Sequence, residues 1–245
     1  ILAEYAARHD WIRVVQKPDR GHRAVGPGVI EAFYAGLDPV SLKEFTYLCK
    51  LDLDLDLPHG YFEGLMARMQ DNPRIGTASG KPYVRQNGQL VSERRGDEMS
   101  VGMTKFYRVQ CFREIGGFVR QVMWDGIDCH RCRMLGWIAE SINDEALRFI
   151  HLRPMGSSQK GIWTGRVRSG YGQYFMGTAP PYLLASAVFR LPKHPVFLGS
   201  IAMLWGYASS AARGAARYED HAFRRFLRRY QYQCLLYGKR EATRR

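Results

Sequence analysis

The sequence predicts an α/β protein with a mixed, mostly parallel β-sheet, helices flanking the sheet, and a helical extension at the C-terminus. Three observations support this fold class. Short apolar segments alternate with amphipathic segments through residues 1–154, which is typical of strand–helix units. An acidic segment follows one predicted strand, at the end where ligands of such sheets bind. Beyond Pro154 the chain is rich in glycine, arginine and aromatic residues, which divides it into a first domain, 1–154, and an extension, 155–245.

The elements of the first domain follow from hydrophobic periodicity and from turn residues. Ile1, Leu2 and Tyr5 share one face of a helix, and Asn72 with Pro73 ends another helix. The predicted elements are, in order, helix 1–8, strand 11–16, helix 29–37, strand 45–54, helix 60–73, strand 75–84, a strand and short helix within 104–118, a helix from 124, and strand 146–154. A domain of this kind normally opens on a strand, so we expect part of it to precede Ile1.

The overall charge is strongly positive. The 245 residues include 36 Lys and Arg against 23 Asp and Glu, which gives a net charge of +13. This balance suits a polyanionic partner, such as nucleic acid, an anionic membrane or a phosphorylated substrate. The five cysteines lack the spacing of a disulfide framework, which favours a reducing, cytoplasmic location. Cys129 and Cys132 are interpreted as ordinary helix residues, because a zinc site would need a second pair.

Residues 49–65, CKLDLDLDLPHGYFEGL, carry an unusual pattern. Asp52, Asp54 and Asp56 alternate with leucines, so a strand would place all three carboxylates on one face. Like charges this close repel unless a cation neutralises them. A solvated edge strand, a calcium loop and a chance alternation are alternatives, but an EF-hand loop would need glycine where Leu57 stands. We therefore expect a divalent cation held by one or two carboxylates and by substrate phosphates.

Four segments together resemble the family 2 glycosyltransferases with the GT-A fold, of the bacterial polysaccharide type. KLDLDLDLP followed by YFEGLMARM is similar to the family's D-x-D strand and the helix after it. KFYRVQCFREIGGF is similar to its acceptor loop, and WDGIDCHRCRMLGW to its E-D motif and the following arginine-bearing helix. ILAEYAARHDWIRVVQKPDRGHRAVGPGVIEAFYAGL resembles the segment that precedes D-x-D. By this resemblance the opening strand and a nucleotide-binding acidic motif would lie before Ile1, and Trp124 stands where the family often has Glu.

The resemblance implies an inverting glycosyltransferase of the hexosyltransferase type. Such an enzyme moves a sugar from a nucleotide diphosphate sugar to a saccharide or lipid-linked acceptor, in polysaccharide or glycoconjugate synthesis. Asp125 would be the catalytic base, with a helix N-cap as its alternative role and Asp128 as the next candidate. A divalent cation, Mg²⁺ or Mn²⁺, would bind Asp54 directly, and Asp52 would bind the ribose or the metal through water. His151 would be either a third metal ligand or a structural histidine.

Further residues are assigned to the two substrates. The predicted acceptor-binding residues are Gly116, Gly117 and Trp124, and the predicted donor-binding residues are Asp52, Asp54, Arg20, Gln159 and Arg166. Gln159 and Arg166 belong to a basic and aromatic segment that can close over a diphosphate. The same segment can equally be a solvated loop or a patch that contacts lipid.

Two uncharged stretches, 169–189 and 195–212, approach the length of a membrane-spanning helix. Their prolines, glycines and serines, with flanking basic residues and Trp205, fit helices that lie in the membrane interface better than helices that span it. The arginine-rich tail from Arg213 would then lie on the anionic inner face of the cell membrane. The alternative is a helical extension packed on the catalytic domain.

Two other function classes stay open. A metal-dependent nucleotidyltransferase would also use paired aspartates. A basic nucleic-acid-binding protein would account for the positive charge and the aromatic residues. However, the sequence has no RRM, KH or helix-turn-helix pattern, and aspartates on one strand would repel phosphate without a metal. We therefore expect no nucleic-acid partner.

Overall fold

The computed structural model describes residues 1–22, 24–93, 96–152, 161–192 and 196–244. Within these ranges the chain forms two four-stranded sheets with helices packed around them. The strands are β1 (Tyr47–Leu51), β2 (Leu55–Asp56), β3 (Ile75–Ser79), β4 (Pro82–Gln86), β5 (Gln89–Ser92), β6 (Thr104–Arg108), β7 (Ile138–Ser141) and β8 (Phe149–His151). The helices are α1 (Leu2–Arg8), α2 (Pro27–Leu37), α3 (Tyr61–Asp71), α4 (Val109–Glu114), α5 (Trp124–Met134), α6 (Gly161–Met176), α7 (Pro180–Arg190), α8 (Leu198–Ala212), α9 (His221–Tyr237) and α10 (Lys239–Arg244).

The first sheet is mixed, with the strand order β1-β6-β3-β7. β3 and β7 are parallel, whereas β6 is antiparallel to both of its neighbours, β1 and β3. The prediction of a mixed sheet is therefore confirmed. β1, β3 and β7 run in the same direction, but of the three neighbouring pairs only β3 and β7 are parallel, so the prediction that most pairs are parallel is wrong. The reason lies in the connection before β6. The chain leaves β3 at its carboxyl end and comes back to the same end before β6 begins, where the Val101 amide donates to Ser79 Oγ at 3.0 Å. β6 therefore starts beside the end of β3 and runs antiparallel to it.

The second sheet, with the order β2-β8-β4-β5, continues strands of the first sheet. β2 follows β1 after a bend at residues 52–54, and β4 follows β3 after Gly80 and Lys81. The single predicted strands 45–54 and 75–84 are thus each divided between two sheets. Glycine at position 80 lets the Leu147 carbonyl approach the bend between β3 and β4, because a Cβ atom there would lie 1.8 Å from that oxygen.

Residues 11–16 form no strand, contrary to the prediction. No strand of the described ranges pairs with them, and an apolar segment without a partner strand cannot form a hydrogen-bonded ladder. Val14 and Val15 therefore remain exposed. The predicted strand 146–154 is reduced to β8, and residues 153–154 lie outside the described ranges. The structure confirms the predicted helices of the first domain, and it confirms the strand and the short helix within 104–118. The C-x-x-C pair lies within α5, as predicted, and the five cysteines are free thiols.

The hydrophobic core lies on both faces of β6. Tyr107 packs with Phe112 of α4 in one cluster. Phe106 packs with Leu65 of α3 and Phe149 of β8 in the other. Neighbouring residues of a strand point to opposite faces, so these two clusters cover β6 on both sides, as an inner strand of a layered α/β fold requires.

The C-terminal helices pack on the first domain and on one another. Phe175 of α6 and Phe223 of α9 pack against Ile127 of α5. α6 and α8 cross closely, since a Cβ atom at Gly170 would lie 2.0 Å from the Met203 carbonyl oxygen. α6 and α9 therefore match the alternative given above, in which the extension is helical and packs on the first domain. Of the helices in the described ranges, none combines the length and the apolar character that a bilayer crossing needs.

Candidate functional site

The acidic segment is a bend between the two sheets. The Asp52 amide donates to the Met103 carbonyl at 2.8 Å and extends the β1–β6 ladder. The Leu152 amide donates to the Asp54 carbonyl at 2.9 Å and extends the β2–β8 ladder. Between these two points Leu53 is 88% exposed. The prediction of a continuous strand with all carboxylates on one face is therefore wrong, because the backbone changes sheets within the acidic segment.

Lys50 supplies a positive charge beside Asp52. Its Nζ atom lies 2.5 Å from Asp52 Oδ1, donates to the Gly102 carbonyl at 3.0 Å, and lies 5.2 Å from the centre of the Trp124 ring. Lys50 is buried, whereas the Asp52 side chain is 38% exposed. Among the described contacts, Asp52 Oδ2 has no hydrogen-bond partner. Lys50 was not predicted from the sequence, although its position two residues before Asp52 places it on the same face of a strand.

His151 lies beside Asp54 because β8 pairs with β2, which places His151 opposite Leu55. His151 Nε2 is 3.9 Å from Asp54 Oδ2, and its Nδ1 is 3.2 Å from Glu93 Oε2. The histidine is buried, and the Asp54 side chain is 34% exposed. Within the described residues, no group of three or more His, Cys, Asp or Glu side chains is arranged as a metal site. The role of His151 as a third ligand stays a prediction.

Asp125 is the second residue of α5. The N-cap position belongs to Met123, whose φ is 65°, and no side chain caps the helix. The alternative role of Asp125 as an N-cap is therefore wrong. Its half-buried carboxylate faces Gly102, where a Cβ atom would lie 3.1 Å from Asp125 Oδ2. The first turn of a helix is a favourable place for a carboxylate, because unpaired backbone N–H groups point toward it.

A buried ion pair lies next to Asp125. Lys105 Nζ lies 2.5 Å from Asp128 Oδ2 and donates to the main-chain carbonyl of Asp125 at 3.0 Å. The Tyr107 hydroxyl also donates to Asp128. Burial raises the pKa of Asp128 and outweighs the opposing effect of Lys105. Burial lowers the pKa of Lys105, but Asp128 and other neighbours outweigh it and hold that pKa above its usual value.

The burial of Asp128 decides its role. Both Asp128 and Lys105 are buried, so Asp128 is not placed to take a proton from a substrate. The pair instead fixes the first turn of α5, through the bond from Lys105 to the Asp125 carbonyl. Lys105 was not predicted from the sequence, because its contact with α5 arises only when the fold brings β6 and α5 together.

Gly102 joins the two acidic positions of the site. Its carbonyl accepts from Lys50, which pairs with Asp52, and the Asp125 carboxylate lies against its Cα. Trp124, which is 8% exposed, packs its ring beside the Lys50 ammonium. The fold therefore brings Asp52, Asp125 and Trp124 together. The role of Trp124 in acceptor binding stays a prediction, and its burial leaves only a small part of the ring for such a contact.

Gly116 and Gly117 form the turn that ends α4, with φ values of +70° and +72°. Glycine is favoured in this left-handed region because it has no Cβ atom. A Cβ atom at Gly117 would also lie 2.4 Å from the Tyr34 hydroxyl, which donates to the Phe118 carbonyl. The turn and this close contact explain both glycines structurally, and acceptor binding by them stays a prediction.

The predicted basic donor contacts lie elsewhere in the chain. Arg20 pairs with Glu31 at 3.2 Å, and Arg166 lies half-buried on α6. Gln159 lies outside the described residues. None of the described contacts joins Arg20 or Arg166 to Asp52 or Asp125, so their roles stay predictions.

The architecture is thus a mixed α/β fold with an acidic site where its two sheets meet. A comparison with models of known protein families finds no match for this chain, and a comparison with curated proteins finds none. Among solved structures, the chain is similar to the mannosyltransferase PcManGT from Pyrobaculum calidifontis, determined in complex with GDP-Man and Mn²⁺. The sequence identity is 15%, and the TM-score is 0.49 over 99% of this chain and 69% of that chain.

Proposed function

We propose that this protein is an inverting glycosyltransferase that moves a sugar from a nucleotide diphosphate sugar to a saccharide or lipid-linked acceptor. The observation that carries the proposal is the convergence of two acidic positions on Gly102, with Asp52 reaching it through Lys50 and Asp125 lying against it. One position can hold the donor diphosphate and the other can accept a proton, which are the two tasks of the reaction. The resemblance to family 2 glycosyltransferases with the GT-A fold supports the same assignment.

On the donor side, Asp54 and Asp52 would hold a divalent cation, Mg²⁺ or Mn²⁺. Such ions prefer oxygen ligands and commonly bind one or two carboxylates together with substrate phosphates. The residues fit this requirement, because the Asp54 side chain is partly exposed and Asp52 Oδ2 has no partner among the described contacts. When bound, the cation would neutralise the charge that develops on the leaving diphosphate. Lys50 adds a fixed positive charge next to it.

On the acceptor side, Asp125 would be the general base. The acceptor hydroxyl loses a proton as it attacks, and a positioned carboxylate can accept it. The Asp125 carboxylate has no hydrogen-bond partner among the described residues, while Lys105 holds its main-chain carbonyl at 3.0 Å. Lys105 is therefore a positioning residue for Asp125. Gly116, Gly117 and Trp124 remain proposed acceptor contacts, and Arg20, Gln159 and Arg166 remain proposed donor contacts.

The reaction is proposed to take place in the cytoplasm, at the inner face of the cell membrane. Free cysteines suit a reducing compartment, and the basic C-terminal part suits anionic lipid. A polysaccharide or a glycoconjugate is the proposed product.

A thermal-shift screen of UDP, GDP and their sugar conjugates, with and without Mn²⁺, tests the donor site. A ligand that binds only the folded state stabilises it, by about 2.7 kcal/mol at a hundred times its Kd. Asp54→Ala should abolish the Mn²⁺-dependent shift. The matched control Asp56→Ala, which changes an exposed carboxylate on β2, should keep it.

The products then separate the function classes. Release of a nucleoside diphosphate from a nucleotide sugar supports sugar transfer, whereas release of pyrophosphate from a nucleoside triphosphate supports a nucleotidyltransferase. A shift with single-stranded nucleic acid and none with nucleotide sugars would favour the nucleic-acid-binding class. An unchanged Mn²⁺-dependent shift in Asp54→Ala would overturn the assignment of the metal site.

A further inference from the structure

The outer surface of α7 and α8 is an exposed apolar face that the proposed reaction does not use. Val188 is 65% exposed and Trp205 is 62% exposed. The face consists of six large side chains that are each more than half exposed, and we call it the hairpin face: Leu184, Val188, Phe197, Leu198, Ile201 and Trp205. Single exposed apolar residues are common, but a group on two adjacent helices is typical of an interaction surface.

The inner surfaces of the same two helices are well packed. Ala187 of α7 packs with Met203 of α8, and Ser200 Oγ donates to the Ala187 carbonyl at 2.8 Å. On another side α8 packs on α6, where a Cβ atom at Gly206 would lie 2.1 Å from the Val167 carbonyl oxygen. The two helices are therefore held to the protein by their inner surfaces, and the hairpin face is not needed for that packing.

The sequence segment that contains α6, α7 and α8 carries only positive charge. Between residues 146 and 218 there is no Asp or Glu, and the Arg and Lys residues are Arg148, Arg153, Lys160, Arg166, Arg168, Arg190, Lys193, Arg213 and Arg217. Arg213 is exposed and directly follows the last residue of α8. A second copy of this chain would bring the same positive charge to the same face, which opposes self-association. An anionic lipid surface would instead neutralise it.

We propose that the hairpin face docks into the headgroup region of an anionic lipid bilayer, with α7 and α8 lying in the plane of the membrane. These helices have 11 and 15 residues, and helices of this kind bury their apolar side about 5–10 Å deep. Trp205 suits this depth because tryptophan is enriched at membrane–water interfaces. Arg213 would stay at the level of the headgroups. This docking gives the proposed location at the inner face of the cell membrane a contact surface, and it does not depend on the proposed enzymatic activity.

Vesicle co-sedimentation of the whole protein tests the proposal. Vesicles of phosphatidylcholine mixed with phosphatidylglycerol should bind the protein, and pure phosphatidylcholine vesicles should bind it less. Ile201→Ser/Trp205→Ser removes two apolar side chains one helical turn apart, and the partition coefficient should fall by about tenfold or more. Salt at about 1 M should also weaken binding, because the Debye length falls to about 3 Å.

The matched control is Trp11→Ser/Leu90→Ser, which removes a tryptophan and an aliphatic side chain that are also exposed but lie far from α7 and α8 in sequence. This control should bind anionic vesicles as the wild type does. Equal binding of both double variants, equal binding to neutral vesicles, or no binding by the wild type would overturn the proposal. A wild-type dimer that becomes monomeric in Ile201→Ser/Trp205→Ser, without vesicle binding, would make the face an interface between copies. Circular dichroism checks folding, and Leu198→Ser serves as a second variant of the same face.

Discussion

Replacing Asp125 with asparagine separates a catalytic role from a structural one. Asparagine keeps the size of the side chain but cannot accept a proton as a carboxylate does. General-base catalysis typically contributes about 10²- to 10⁴-fold, so the turnover of sugar transfer should fall by about that factor. Binding of the nucleotide with Mn²⁺ should hardly change, because the proposed metal ligands are Asp52 and Asp54.

The effect of Asp125→Asn on stability should be small, and the structure gives the reason. The N-cap of α5 is Met123, so no capping hydrogen bond is lost. What is lost is the attraction between the carboxylate and the helix N-terminus, typically about 0.3–1 kcal/mol. In a domain of about this size, 1 kcal/mol corresponds to a Tm shift of about 2–4 °C. The Tm should therefore fall by about 4 °C or less.

The assay measures the initial rate of nucleoside diphosphate release at saturating donor, together with the Tm and the Mn²⁺-dependent nucleotide shift of the same preparation. Asp56→Asn is the matched control, because it makes the same substitution at an exposed carboxylate on β2 and should change none of the three. Turnover of Asp125→Asn within a few-fold of wild type would refute the role of Asp125 as the base. Loss of the nucleotide shift together with turnover would instead place Asp125 in the donor site.

Two further predictions concern packing and pH. Gly170→Ala should destabilise the protein by about 1–3 kcal/mol in denaturant unfolding, because its Cβ atom would lie 2.0 Å from the Met203 carbonyl oxygen. The control Gly165→Ala lies on the same helix and has no atom within 4 Å of its added Cβ, so it should stabilise the protein by up to about 1 kcal/mol. Equal effects of the two substitutions would contradict the close crossing of α6 and α8. Burial, and after it Arg133 and other positive charges, lower the pKa of His130 well below its usual value. The folded protein therefore binds a proton at His130 less readily than the unfolded chain does. The free energy of unfolding should be highest above about pH 6.5 and should decrease as the pH falls below that value. His130→Asn should reduce the slope of the unfolding free energy between about pH 6 and pH 5 by up to about 1.4 kcal/mol per pH unit, and an unchanged slope would assign the dependence to other groups.

The sequence predicted those elements of the first domain that are defined by their own hydrophobic periodicity and turn residues. The helix predicted at 60–73 is α3, and the strand and short helix predicted within 104–118 are β6 and α4. The second sheet was not predicted, because its pairs join distant residues, such as Leu55 with His151 and Tyr83 with Ile150. No local periodicity encodes such a pairing, so strands that change sheets were predicted as single long strands.

The candidate site was predicted in part for the same reason. The aspartates and the helix start at Trp124 were visible as local motifs in the sequence. The contact between Asp125 and Gly102 joins residues of separate elements, as does the contact between Lys105 and Asp128. A motif predicts which side chains are available, whereas the fold decides which of them meet.

The charges at the junction of the two sheets favour an ordered binding of metal and donor. Asp52 and Asp54 carry two negative charges, and Lys50 balances one of them through Asp52 Oδ1. One net negative charge remains among these three residues, which opposes the approach of an anionic diphosphate. A divalent cation on Asp54 and Asp52 Oδ2 would reverse the sign, so that the same group attracts the diphosphate. Under the proposed function, nucleotide affinity should therefore depend on Mn²⁺, and Lys50 alone should be insufficient to hold the donor.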